Sequence, residues 1–163
     1  MTKPESNGGA LEGLRVLDLT RILAGPLCTQ TLGDMGAEVI KVEPPGTGDD
    51  TRTWGPPFTG GESAYFLGVN RNKRSLTLNM AVKSGQEILA QLVRKSDVLV
   101  ENFKLGTLEK WGITDDWLEE NAPQAVRCSI TGYGSSGPDA PLPGYDFILQ
   151  AQSGLMSICG EAD

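Results

Sequence analysis

Leu14-Arg-Val-Leu-Asp-Leu19, the loop Thr20-Arg-Ile-Leu-Ala-Gly25, a helical pattern opening at Pro26, and Glu38-Val-Ile-Lys-Val-Glu43 together decide the fold. The first piece alternates and is rich in β-formers, which predicts a strand. Thr20 to Gly25 reads as a turn. Pro26 suits the first position of a helix, where a missing N–H costs nothing, and Cys28, Leu32 and Met35 then fall at helical spacing before Gly36 closes the element. The second strand follows so closely that a right-handed crossover must lay it parallel to the first. The chain therefore opens as β-α-β.

Working outward, residues 44–58 carry four of the ten prolines and read as a long excursion over the surface, the kind of loop that often carries function. A third strand is expected at Ser75-Leu-Thr-Leu-Asn79. Ser84-x-x-Glu87 then matches a capping box ahead of Ile88, Leu89, Leu92 and Val93 at helical spacing. Asp97-Val-Leu-Val100 and Ala125-Val-Arg-Cys-Ser-Ile130 read as further strands. Two short helices around Leu108 and Trp117 separate them, the second capped by Thr114 with Asp115 and Asp116 at its positive end. Alternating strands and helices predict an α/β fold, a parallel sheet with helices on both faces. Residues 1–10 form an expected flexible arm and residues 11–163 one unit. A helix from Tyr145 to Met156 is followed by Ser157 to Asp163, where a returning strand is due, so the architecture is expected to be incomplete at its C-terminus.

Composition narrows the function classes. With 163 residues the chain can bury a real core, and its 39% hydrophobic and 21% charged content is that of a soluble globular protein. Fourteen basic and 21 acidic residues give a net charge of −7, which opposes nonspecific attraction to nucleic acid or an anionic membrane. A polyanion would need a local basic patch, for which Arg71, Lys73 and Arg74 are candidates, with Lys95 and Lys104 behind them. Cys28, Cys128 and Cys159 form no C-x-x-C pair and there is no histidine, so no metal site is expected. These cysteines are read as small buried hydrophobes in a reducing compartment. Neither a signal-peptide pattern nor an apolar membrane span is present, and the cytoplasm is the expected location.

In open α/β sheets ligands bind beyond the carboxyl ends of the strands, so the segments after Leu19, Val100 and Ile130 are the places for a site. The first lacks G-x-G-x-x-G, which disfavours a nucleotide-dependent dehydrogenase. Leu11-Glu-Gly-Leu-Arg-Val-Leu-Asp-Leu-Thr-Arg-Ile-Leu-Ala-Gly-Pro26 resembles the opening of family III CoA-transferases. Gly33 to Glu43, Gly48-Asp-Asp-Thr-Arg52, Asn70 to Ser75, Asp97 to Phe103, Leu108-x-x-x-Gly112 and Ser129-Ile-Thr-Gly-Tyr-Gly134 resemble further family segments in order. Asp49 to Phe58 and Gly144-Tyr-Asp146 are most similar to the succinate or hydroxymethylglutarate branch, also described as glutarate-activating.

The resemblance implies a Rossmann-like large domain in an interlinked homodimer. It also implies coenzyme A as a substrate with no tightly bound cofactor, and an acyl-CoA and a small carboxylic acid, of the dicarboxylic type, as partners. By position it assigns Ile22, Leu23, Ala24, Leu78, Asn102, Phe103, Lys110 and Trp111 to the CoA pocket. Their chemistry agrees: aromatic faces for adenine, an amide for polar edges, a lysine for phosphate. Two departures touch that pocket: Pro44 stands where some relatives have arginine, and Leu23 where some have glutamine.

The implied mechanism runs through an aspartyl intermediate. The resemblance puts that aspartate beyond Asp163, leaving Tyr145 and Asp146 as supporting candidates, Asp146 being equally readable as a helix cap. A racemase of the same family would need a histidine where Tyr145 stands. A truncated, non-catalytic CoA-binding or assembly module is the alternative from another class.

Overall fold

The computed structural model describes residues 8–160; the expected arm lies, for residues 1–7, outside the described residues. The elements run β1 (Arg15–Asp18), α1 (Ala24–Asp34), β2 (Glu38–Glu43) and a 3-10 turn (Asp50–Thr53). A small hairpin, β3 (Phe58–Thr59) with β4 (Glu62–Ser63), leads into α2 (Ala64–Asn70) and β5 (Lys73–Thr77). Then come α3 (Lys83–Val93), β6 (Val98–Glu101), α4 (Thr107–Lys110), α5 (Asp115–Asn121) and β7 (Val126–Ser129). A short α6 (Asp146–Gln152) and a 3-10 turn (Leu155–Ser157) complete the order.

Five of the strands form one parallel sheet in the order β5-β2-β1-β6-β7. The chain starts in the middle, builds outward to one edge, and returns to extend the other side. The order therefore reverses beside β1, and a crevice opens there at the carboxyl ends.

Alternation along each strand sends side chains to two differently covered faces. Leu17, Leu19, Val42 and Leu99 pack with Leu89 and Val93 of α3, Leu108 of α4 and Leu118 of α5. Leu17, Leu89 and Leu99 are fully buried, each such side chain stabilising the fold by about 1.5–3 kcal/mol. On the opposite face Val16, Val39 and Val100 pack with Ala37 and with Leu32 of α1. Helices do cover both faces.

Several elements differ in detail from the expectation. The helix α1 starts at Ala24, two residues before Pro26, which sits inside the first turn where its missing N–H is still harmless. Gly25 is required there, since a Cβ would lie 2.2 Å from Cβ of Thr20. The strand β5 begins at Lys73 rather than Ser75. The Ser84–Glu87 capping box does not form: the N-cap is Val82, which makes no side-chain bond. The chain is instead turned by Oδ1 of Asn79, which accepts from the Ala81 N–H at 3.1 Å. Gly85 then lets α3 pass over the Asn79 carbonyl, from which a Cβ would be only 1.8 Å away. The Thr114 cap forms as expected, its hydroxyl accepting from the Trp117 N–H at 3.0 Å.

Sequence reading missed the β3–β4 hairpin and α2. Ser63 caps α2 through the Phe66 N–H, a signal that was available. After β7 no strand occurs among the described residues, and α6 buries none of its side chains. Cys28 and Cys128 are half-buried, but Cys159 is exposed, contrary to its expected burial. No helix among the described residues is long and apolar enough to cross a membrane.

Candidate functional site

At the carboxyl ends of β1, β2, β5 and β6 lies a cavity of about 290 Å³. Each strand supplies the residues just past its own end: Thr20 and Arg21 after β1, Pro44 and Thr47 to Asp50 after β2, Leu78 and Met80 after β5, Phe103 and Trp111 after β6. The apolar wall is ordered by side-chain packing. The Phe103 and Trp111 rings meet edge-on, with centroids 5.2 Å apart at 74°, and both rest on the α3 face of the core. The Phe103 N–H donates to Oε2 of Glu101 at 2.9 Å, which fixes the turn that carries the ring.

The opposite wall is built from buried charge. Lys41 is surrounded by hydrophobic β2 neighbours, yet its side chain is 1% exposed and its ammonium lies 2.9 Å from Oδ2 of Asp49, itself 1% exposed. Lys41 also donates to the Thr20 carbonyl at 2.7 Å. Burial pushes the Asp49 carboxyl up, but the hydrogen bond and charge of Lys41, with the Thr51 N–H and hydroxyl, outweigh it and hold the group below its usual range. Beside it, Arg52 clamps Glu43 with two bonds, Nε to Oε2 at 2.7 Å and Nη2 to Oε1 at 2.8 Å. Burial raises the Glu43 carboxyl and the Arg52, Asp49 N–H and Ser75 contacts lower it further, so it too stays ionised. A smaller recess of about 190 Å³, including Glu43, Arg52, Ser75 and Thr77, adjoins the first.

Of the eight residues expected at the pocket, the structure sets Leu78, Phe103 and Trp111 on the cavity itself. Asn102 does not line the cavity and clasps the Arg21 backbone, accepting from its N–H at 3.1 Å and donating to its carbonyl at 2.8 Å. Ile22, Leu23 and Ala24 form the segment from β1 into α1. Ile22 has φ of +73°, and its N–H donates to Oδ1 of Asp49 at 3.3 Å. Leu23 is exposed and makes no capping bond, so the Leu23, Ala24 and Gly25 N–H groups have no partner among the described residues. Lys110 is exposed on α4 and does not line the cavity.

Tyr145 and Asp146 lie elsewhere. Tyr145 is 71% exposed, and Asp146 is the first residue of α6 rather than its cap, its carboxylate taken by the Gln150 amide. The basic candidates are likewise engaged. Arg71 pairs with Asp34, Arg74 with Glu38 at 2.6 Å and Lys73 with Asp18 at 3.0 Å, so each has a carboxylate partner and Lys73 is buried. Lys95 and Lys104 are exposed. No group of metal-ligating side chains occurs among the described residues.

Lys41, Glu43, Asp49 and Arg52 were not singled out from sequence. A signal existed: a lysine and a glutamate within a strand flanked on both sides by parallel neighbours must be buried, and buried charges are paired.

The profile describing CoA-transferase family III matches residues 11–163. The chain belongs to this family. Among its relatives in CoA-transferase family III, a human succinyl-CoA:glutarate CoA-transferase is 55% identical over 92% of this chain and 34% of its own length. A succinate–glutarate CoA-transferase of Agrobacterium fabrum is 47% identical over 100% of this chain and 42% of its own length. A crystal structure of a CaiB/BaiF family protein from Brucella suis superposes with a TM-score of 0.89 at 51% identity, covering 96% of this chain and 42% of that one. The chain thus spans between a third and a half of the length of these relatives. Pro44, one of the two departures from family pattern, lines the cavity; Leu23, the other, is the uncapped residue ahead of α1.

Proposed function

We propose that this cavity binds coenzyme A and that the protein transfers CoA from an acyl-CoA to a dicarboxylic acid, with succinate and glutarate as the acids its relatives' names suggest. The observation that carries this reading is the two-sided cavity at the carboxyl ends of the sheet. One side offers Phe103, Trp111, Leu78 and Met80, an apolar and aromatic surface for the adenine ring. Close by, the unpartnered N–H groups at the start of α1 suit an anionic phosphate. Asn102 serves the site by holding Arg21 rather than by lining it.

In this reading, residues 11–163 are part of the large CoA-binding domain of an interlinked homodimer, working in the cytoplasm, where three unpaired thiols persist. The chemistry runs through an aspartate carboxylate. It attacks the acyl carbonyl of the thioester and expels CoA thiolate to leave a mixed anhydride; the thiolate then attacks the aspartyl carbonyl and releases the first acid. The second acid repeats the exchange in reverse. No described carboxylate at the cavity suits this role, because Asp49 and Glu43 are locked in ion pairs, and Asp50 faces Arg21 at 3.5 Å. Tyr145 and Asp146 keep at most a supporting place. The nucleophile is therefore not assigned to the carboxylates at this cavity.

Calorimetric titration with CoA tests the placement. Trp111→Ala is expected to weaken binding about tenfold, the order of one lost stacking contact. Unchanged affinity in a folded Trp111→Ala protein, or no CoA binding by the unaltered protein, overturns the reading.

A further inference from the structure

The segment from Thr20 to Leu23 has no repetitive structure, and Ile22 holds φ of +73°, where a β-branched residue is strained. Such a kink persists only if its surroundings determine it. Here they do so group by group. The Thr20 N–H donates to Oδ1 of Asp18 at 2.9 Å, and the Thr20 carbonyl accepts from Lys41 at 2.7 Å. Both polar groups of the Arg21 backbone are taken by Asn102. The Ile22 N–H ends on Asp49 at 3.3 Å. Anchors from β1, β2, the loop after β2 and the turn after β6 thus converge on three residues.

Among these anchors, Lys41 and Asp49 stand out because they are costly. Two charges, each 1% exposed, lie 2.9 Å apart, and a pair this buried offsets its desolvation poorly compared with apolar side chains of the same volume. What apolar side chains could not do is hold the kink. Asp49 accepts at one oxygen from Ile22, from the Thr51 N–H at 3.0 Å and from the Thr51 hydroxyl at 2.7 Å, while its other oxygen faces Lys41. Lys41 in turn spans from Asp49 to the Thr20 carbonyl. The loop carrying Asp49 is itself tied down, since its N–H donates to Glu43 at 3.0 Å and Glu43 is gripped by Arg52.

We propose that Lys41 and Asp49 are positioning residues for CoA: buried in the cavity wall, their pair fixes the left-handed kink at Ile22 and so the entry into α1. This rests on the cavity's reading as a CoA site. If the pair is lost, the segment samples other conformations, and affinity falls by the fraction of time the competent one is populated.

The test uses Lys41→Met/Asp49→Ala, which leaves no orphan charge, with CoA affinity by calorimetry and amide hydrogen exchange residue by residue. The expected result is a folded protein that binds CoA about tenfold more weakly, with faster exchange at Ile22 and unaltered protection at Leu17 and Leu99. Wild-type affinity together with wild-type exchange at Ile22 overturns the proposal. Should the double variant fail to fold, Asp49→Asn keeps the shape and one acceptor while weakening the bond to Lys41. A loss of about threefold is expected there, and none overturns the proposal. Absence of CoA binding by the unaltered protein would sink the CoA reading and with it the role toward CoA, while Ile22 exchange in the variants still decides whether the pair holds the kink.

Discussion

The two faces of the sheet are held by different physics. On the α3 face, Leu17, Leu89 and Leu99 are fully buried against one another, and charge enters near β7, where Arg127 meets Glu101, Glu109 and Asp115. On the α1 face, Val16 and Val39 share the surface with Asp18, Lys73, Lys41 and Asp49, all nearly inaccessible. Apolar packing is tolerant of direction, whereas each buried charge demands a partner at a fixed place. The dry face therefore supplies stability, and the charged face gives up some of it for geometry at the end of the sheet where the cavity lies.

The largest effect expected from this contrast is at Asp18. Its Oδ2 accepts from Lys73 at 3.0 Å and from the Thr29 hydroxyl at 2.7 Å, and its Oδ1 holds Thr20. Lys73 uses its other donors on the Pro26 carbonyl at 2.8 Å and the Asn70 side chain at 2.9 Å. Asp18→Ala should lower unfolding free energy by about 4 kcal/mol, because it strands a buried ammonium. Burial already pulls the Lys73 ammonium below its ordinary range and Asp18 opposes that shift, so removing Asp18 should lower it further. Adding Lys73→Met should recover part of the loss in urea unfolding. A double variant no better than the single one would mean that Asp18 acts through Thr20 and Thr29, not through charge.

Next in size is Leu89→Ala on the dry face, expected to cost about 3 kcal/mol by leaving a cavity under the sheet. The informative part is what should not change. CoA affinity of the folded variant should stay close to that of the unaltered protein, since Leu89 supports the cavity wall from beneath without lining the cavity itself. A fall in affinity comparable to that of Lys41→Met/Asp49→Ala would erase the division of labour between the faces.

How much of this was legible in the sequence obeys the same division. The β-α-β opening could be read because Leu17 and Val39 obey a period of two, and Leu32 a helical one. Periodicity reports which way a side chain points, and apolar packing needs little more. Leu78, Phe103 and Trp111 were reached through family resemblance, and they do line the cavity. Lys41 and Asp49 were missed because their meaning depends on a loop, residues 44–53, whose path no local pattern specifies. Asn102 was expected at the pocket, and its side chain is engaged with Arg21. It binds backbone, and nothing in its neighbours indicates Arg21 as the partner. The Ser84 cap failed for a related reason, since the contact between Gly85 and Asn79 decides where α3 starts.

The smallest effect vanishes at neutral pH and grows only in acid. Glu43 and Asp49 both have carboxyl groups held below their usual range, because their hydrogen bonds and neighbouring cations outweigh the burial that would raise them. A carboxylate with a depressed folded-state pKa contributes stability that is fully present above the unfolded value of about 4 and is lost as pH falls through the lower folded value. Below about pH 4 the unfolded chain binds more protons than the folded one, so unfolding free energy must drop with falling pH. Urea unfolding measured from pH 7 to pH 2 should show that drop. The two faces can be separated by comparing variants. Leu89→Ala should run parallel to the unaltered protein, displaced by a constant amount, because no titrating group is altered. Glu43→Gln should start lower at pH 7 and fall less steeply, because one of the titrating groups has been removed. If Glu43→Gln instead runs parallel and Leu89→Ala flattens, the acid sensitivity does not originate in the ion pairs beneath the cavity, and the charged face is not the part of the sheet that protons loosen first.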